Sequence, residues 1–404
     1  MLDLRQIVSQ GRKRIGLLIG AGAPVSVRVD KNNEICADGE CLIPDVAGLT
    51  AKVLAALASK DRTIVEKHLP SLGPSPNIET VLTKLRRLAE AIGTYEVFGV
   101  NGAGYASLSE KICKEIGKLV ACRLPPSPNP YTELVSWIGG THRDSAIEIF
   151  TPNYDLLFEE AFERSKRPYF DGFSGAHRPF FDSASISDDR LPARWSRLWK
   201  LHGSLGWELD DKSIIRTGSR EATSLIYPDH LKYDLVTRQP YSALFERLRR
   251  FISTPDTLLI CSGFSFGDAH ICAVLDEALS ANAHTAILAF QFRTLEEEKL
   301  ATKLATGRPN LSVYAYDGAV IHGVTGAWQV GQSPNDDWKS FRTTYWGSTP
   351  EGNRFLLGDF GKLCRFFALT QAAKIAPSAP AEKPEPTQSE PEVVPSDGED
   401  VAGV

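Results

Sequence analysis

The sequence predicts an α/β protein built on a doubly wound, mostly parallel, Rossmann-like sheet. Three observations point there. Short apolar runs alternate with helical patterns, polar or glycine-bearing turns close several of those runs, and a long helical stretch separates the first run from the second.

Arg14-Ile-Gly-Leu-Leu-Ile19 reads as a buried strand ending in the tight turn Gly20-Ala-Gly22. From about residue 45 to 145 the pattern is helical, an inserted module. Ile78, Val81, Leu82, Leu85, Leu88 and Ala89 recur at helical spacing behind Asn77, a good N-cap. Ser107-x-x-Glu110 reads as a capping box leading Leu108, Ile112, Ile116, Leu119 and Val120 onto one face. Pro125, Pro126, Pro128 and Pro130 are expected to close the module.

Alternation then sets in. Ile147–Thr151 reads as a strand, Leu156–Arg164 as a helix, and Leu198–Leu201 as a strand reached through a polar, aromatic loop. Thr257–Cys261 is a further strand, and Asp268 starts a helix with Ile271, Val274, Leu275 and Leu279 inward. Thr285–Phe290, a charged helix from Leu295 and Leu311–Ala315 complete the series. Between Trp338 and Phe367 eight aromatic residues gather, read as a segment docked on the body or as an interface. The expected organisation is one catalytic body over 1–370, with that segment at about 330–370, and a disordered tail rich in Pro, Glu and Ser over 371–404.

Composition narrows the function classes. The chain is 42% hydrophobic and 24% charged, as soluble globular proteins are. Its net charge of −5 comes from the tail, where seven acids face only Lys374 and Lys383, so the first 370 residues are neutral. A neutral body has no global field to gather nucleic acid, and no direct nucleic-acid binding is expected. No apolar run approaches the ~20 residues of a bilayer-spanning helix, and the N-terminal residues lack a signal-peptide pattern, so no membrane association is expected. Seven cysteines without a Cys-x-x-Cys pair speak against a zinc ribbon and a disulfide framework; the expected metal content is none and the expected location cytoplasmic.

Four turns carry chemistry-bearing residues. Gly20-Ala-Gly22 suits backbone approach to a pyrophosphate, although glycines in such turns also serve sterics alone, and Pro24 fits the first turn of a short helix. Thr151-Pro-Asn153-Tyr-Asp155 lies at the carboxyl rim of its strand, where Asn153 or Asp155 also suits a helix cap. Lys200-Leu-His202-Gly-Ser204 lies at the same rim. Gly263-Phe-Ser265-Phe-Gly-Asp268 follows a fourth strand, with Asp268 read as the cap of the next helix.

In this order, together with Ile43-Pro-Asp45, the turns resemble the sirtuin-like NAD-hydrolase family over roughly residues 10–320. The resemblance is greatest to its bacterial anti-phage defence branch, which reads Asn-Tyr-Asp, Leu-His-Gly-Ser and Gly-x-Ser-x-x-Asp at these places. Lysine-deacylating sirtuins carry two Cys-x-x-Cys pairs for structural zinc, whereas this chain has no cysteine between Cys122 and Cys261. Their Gly-Ala-Gly-x-Ser is Gly20-Ala-Gly22-Ala23-Pro24 here, with Ser26 displaced.

The resemblance implies an NAD+ glycohydrolase that releases nicotinamide and ADP-ribose and depletes NAD during abortive infection. NAD enters as substrate, with no other cofactor and no zinc. Catalytic roles fall on Asn153, at the nicotinamide ribose or the attacking water, on His202 as general base, and on Asp155 as an orienting group. Gly20, Ala21, Gly22, Pro24, Asp45, Gly263, Phe264 and Ser265 are the expected nucleotide-binding residues, and Asp268 is expected to be structural. A homo-oligomer and a HerA-type hexameric ATPase and DNA translocase are the expected partners. Two alternatives remain open: a deacylase lacking zinc, and a non-catalytic NAD or ADP-ribose sensor.

Overall fold

The computed structural model describes residues 2–9, 11–73, 76–211, 213–221, 239–329, 331, 342–349 and 352–375. A nine-stranded sheet runs through its centre. In chain order its strands are β1 (Arg14–Ile19), β2 (Glu148–Thr151), β3 (Tyr169–Phe170), β4 (Ser196–Lys200), β5 (Thr257–Ser262), β6 (Ala286–Phe290), β7 (Leu311–Tyr314), β8 (Gly318–Ile321) and β9 (Val324–Ala327). They lie side by side as β9-β8-β7-β6-β5-β1-β2-β4-β3. Pairings from β3 across to β7 are parallel, and the β7–β8 and β8–β9 pairings are antiparallel. The chain lays β2, the edge strand β3 and then β4 between them on one side of β1, and crosses to β5 on the other, which puts the switch point of the sheet at β1.

The central strands are buried on both faces, which explains their continuous apolar runs. Leu17, Ile19, Ile149, Leu198, Leu258 and Ile260 belong to one core, whereas their neighbours Leu18, Phe150, Trp199, Leu259 and Cys261 belong to another. Side chains alternate across a strand, so each strand feeds both cores.

Helices cover the two faces. In chain order they are α1 (Leu2–Ser9), α2 (Gly22–Val25), α3 (Val46–Ala56), α4 (Ser59–His68), α5 (Ile78–Ile92), α6 (Gly102–Val120), α7 (Pro130–Gly140), α8 (Leu157–Arg164), α9 (Ser183–Ile186), α10 (Tyr241–Ser253), α11 (Ala269–Ala281), α12 (Lys299–Gly307) and α13 (Phe360–Ile375). The first core holds residues of α3 to α8 and α13; the second holds residues of α10, α11 and α12. Trp137 of α7 stacks on Phe367 of α13 at 4.7 Å between ring centroids. A four-stranded antiparallel sheet of Phe173–Ser174, Phe180–Phe181, Ser213–Arg216 and Trp207–Asp210 stands apart from the main one.

Asparagine side chains start the main helices of the module. Asn77 and Asn129 form capping boxes with Thr80 and Thr132, and Asn101 accepts from Gly104 N at 2.9 Å. Two expectations need correction. Ser107 is not a cap: α6 begins at Gly102, which leaves Ser107 inside the helix. The prolines do not close the module either, because Pro130 opens α7, where a missing N–H costs nothing.

At the carboxyl end of the chain Tyr345, Phe355, Phe360, Phe366 and Phe367 are buried, while Trp338 and Phe341 lie outside the described residues. α13 runs on to Ile375, beyond the Gln371 boundary expected for the tail; the rest of the tail, 376–404, also lies outside the described residues. Among the described residues no helix is long and apolar enough to cross a membrane.

At the amino ends of the strands sits a buried charge network. Glu148 accepts from Arg247 Nε at 2.8 Å, Arg247 Nη2 at 2.6 Å, Arg14 Nη2 at 3.0 Å and Trp199 Nε1 at 2.8 Å. A buried carboxylate satisfied this fully fixes β1, β2, β4 and α10 relative to one another. The opposite, carboxyl ends of the strands carry the four turns.

Candidate active site

The turns after β1 and β5 touch through their backbones. Gly20 N donates to Ser262 O at 3.1 Å and Gly22 N to Gly263 O at 2.9 Å. A Cβ at Gly22 would stand 2.7 Å from Gly263 Cα, and one at Gly263 (φ +63°) would stand 2.6 Å from Ala23 N. Close backbone approach alone therefore requires both glycines, and the amides of Gly20 and Gly22 are already engaged with the β5 turn.

Asn153, after β2, is half-buried and aimed at the same place, with Nδ2 donating to Gly20 O at 3.1 Å. Its own N–H donates to Thr151 Oγ1 at 3.1 Å, which turns the chain sharply off the strand. His202 follows β4, and its Nε2 lies 2.7 Å from Asp268 Oδ2. Asp268 also caps α11, Oδ1 accepting from His270 N and Ile271 N at 2.9 Å each. A carboxylate accepts here, so Nε2 carries the hydrogen of this contact and Nδ1 is the ring nitrogen outside it.

β4 and β5 are three positions apart, about 14 Å at ~4.8 Å per step, yet the residues that follow them meet in a hydrogen bond. Their loops therefore arch over the ends of β2 and β1, where Asn153 and Gly20 lie. The β5 turn is tense at its crest. Phe266 is buried at φ +57°, a conformation bulky side chains rarely adopt, and its ring packs on Phe264 at 5.0 Å between centroids. Gln291 Nε2 holds Phe264 O at 3.1 Å, and Ser265 between the two rings is exposed.

The other expected residues take local roles. Asp155 is buried, and its Oδ1 accepts from Leu157 N at 3.1 Å as α8 begins. Burial pushes its carboxyl pKa up, offset in part by Lys200. Lys200 Nζ donates to the Asp155 carbonyl and pairs with Glu159 at 3.3 Å. Asp45 is exposed, caps α3 by accepting from Gly48 N at 2.8 Å, and stands 4.0 Å from Arg293. Pro24 is buried within α2, and Ala21 precedes that helix, partly exposed. The pairing of Asp268 with His202 was missed in the sequence, where Asp268 reads only as a cap. Its signal was the position: an acid closing a turn on the same rim as the histidine. No group of three or more His, Cys, Asp or Glu among the described residues could hold a metal ion.

Residues 147–307 match the SIR2-like domain family. The match spans β2 to α12, so Asn153, His202 and Gly263 to Asp268 lie within it, while Gly20-Ala-Gly22 and Asp45 lie outside. A solved chain described by the words "Structural Basis for the Mechanism and Regulation of Sir2 Enzymes" is similar at 12% identity, over 71% of this chain and 84% of that one. Its TM-score of 0.30 is too low to transfer any residue's role. A comparison with curated proteins finds no match. The matched stretch thus contains three of the four turns, and the turn after β1 lies outside it.

Proposed function

We propose that this chain is an NAD+ glycohydrolase. The observation that supports the reading most is the His202–Asp268 contact in turns at the carboxyl ends of the strands, where Asn153 also reaches Gly20, within a stretch that matches the SIR2-like domain family. In this reaction the bond between nicotinamide and ribose C1′ breaks, and its electron pair leaves with nicotinamide. A water oxygen bonds to C1′ and loses a proton, so NAD+ and water give nicotinamide, ADP-ribose and a proton.

His202 Nδ1 accepts that proton, and the Asp268 carboxylate stabilises the imidazolium that forms. Asn153 offers an amide that donates and accepts at once, suited to the ribose hydroxyls or the water. The rim formed by Gly20, Ala21, Gly22 and Pro24 with Gly263, Phe264 and Ser265 takes the dinucleotide, and Asp45 is assigned to the same ligand on the resemblance of the motifs alone. Asp155 supports the Asn153 turn from within the core.

The wider reading rests on the resemblance of the motifs: an effector of bacterial anti-phage defence that depletes NAD, acting as a homo-oligomer with a HerA-type ATPase. The test is nicotinamide release from NAD by the purified full chain, alone and mixed with the product of its genomic neighbour. Release that disappears in Asn153→Ala and His202→Ala supports the reading. O-acyl-ADP-ribose formed only with acyl-lysine peptide would favour the deacylase, and nucleotide binding without turnover in either mixture would favour the sensor.

A further inference from the structure

We infer that Glu79, on the helical module, is a positioning residue for this rim and acts through Tyr154; the inference rests on the hydrolase reading. Tyr154 stands between Asn153 and Asp155 and is buried in the core beneath the rim. Its hydroxyl donates to Glu79 Oε1 at 3.1 Å. Its carbonyl accepts from Leu205 N at 3.0 Å and from Ser204 Oγ at 3.4 Å, just past His202. One residue thereby joins the Asn153 turn, the His202 turn and α5.

Glu79 is itself firmly placed. It lies in the first turn of α5, between the partners of the Asn77–Thr80 capping box. Its neighbour Ile78 donates through its backbone N–H to Thr50 Oγ1 of α3 at 2.9 Å. Two helices therefore set the position of the carboxylate, and the phenol transmits it to both turns. A shift of Tyr154 would move the Asn153 amide and the His202 imidazole together. Misplacement by about 1 Å costs on the order of a hundredfold in rate. The loss falls on kcat, because both groups act on the sugar carbon as it reacts.

The full-length variants Glu79→Ala, Glu79→Gln and Tyr154→Phe test this. Glutamine keeps an acceptor for the phenol. Glu79→Ala and Tyr154→Phe should lower kcat for NAD hydrolysis about a hundredfold, with KM little changed, and Glu79→Gln should restore most of the rate. Hydrogen exchange supplies a reading independent of turnover: the Leu205 amide, bonded to Tyr154 O, should exchange faster in Glu79→Ala and Tyr154→Phe but not in Glu79→Gln. Unchanged Leu205 exchange in Glu79→Ala, or a glutamine variant no better than alanine, overturns the inference. Should Glu79→Ala fail to fold, Tyr154→Phe removes one oxygen from the same contact, and unchanged Leu205 exchange there overturns it equally. A wild-type chain that leaves NAD intact would sink the hydrolase reading, and the exchange experiment would still decide the role of Glu79.

Discussion

His202 and Asp268 meet at 2.7 Å, Nε2 to Oδ2, although the strands that deliver them are separated by two others. The contact fixes which imidazole nitrogen faces the carboxylate, and it ties the β4 turn to the start of α11. The two Asp268 oxygens divide the work, one holding the histidine and the other capping the helix.

That division makes Asp268→Asn informative. The amide oxygen still caps α11, so stability should stay within about 1 kcal/mol of wild type. The amide nitrogen donates where the carboxylate accepted, which favours the wrong tautomer and withdraws the charge beside the imidazolium. We expect kcat for NAD hydrolysis to fall by roughly 10²–10⁴-fold, measured by steady-state nicotinamide release alongside a thermal melt. A rate equal to wild type would reduce Asp268 to a cap.

Gly22→Ala and Gly263→Ala address the contact between the β1 and β5 turns. Each added methyl meets backbone under 3 Å away, which cannot swing aside as a side chain could. Gly263 also has a left-handed φ that alanine resists. Each variant should lose on the order of 1–3 kcal/mol, read as a lowered midpoint in urea. A midpoint equal to wild type would show that the turns separate easily, and would return the glycines to a purely ligand-directed role.

Asp155 gives a pH signature. Burial raises its pKa in the folded state, so the native chain holds that proton more tightly than the unfolded chain does. The contribution to stability is greatest below the ordinary carboxylate pKa and is lost as pH rises through the raised value. Asp155→Asn keeps an acceptor for Leu157 N and removes the titration. Its stability relative to wild type should improve as pH climbs above about 4, followed by urea denaturation at several pH values. A difference independent of pH would contradict the assignment.

The strands β1, β2, β4, β5, β6 and β7 and the order of their motifs were legible because they rest on local composition: apolar runs with a polar or glycine turn at the rim. Asn77 was legible for the same reason. The expected polar, aromatic loop from Tyr169, by contrast, holds β3 and the short strands Phe173–Ser174 and Phe180–Phe181, and β8 and β9 lie beyond the expected series. The start of α6 was not legible either. Gly102 and Gly104 look like turn residues, yet a Cβ at Gly102 would lie 2.6 Å from Ala89 O and 2.9 Å from Gly93 O, so the glycine is there to let α6 begin against the end of α5. In the site, local pattern placed Asn153 and His202 at strand ends. It could not show that two loops arch toward each other, because the His202–Asp268 and Tyr154–Glu79 contacts join residues 66 and 75 positions apart. Asp268 and Glu79 read as ordinary helix-start acids until the fold brings their partners to them.

The most direct test of the central claim is hydrolysis of NAD in ¹⁸O-labelled water by the full chain, with its genomic neighbour's product present, followed by mass analysis of the ADP-ribose. The account predicts one ¹⁸O at ribose C1′, equimolar nicotinamide, and loss of both products in His202→Ala. Undiminished turnover in His202→Ala, or ADP-ribose free of label, would contradict it.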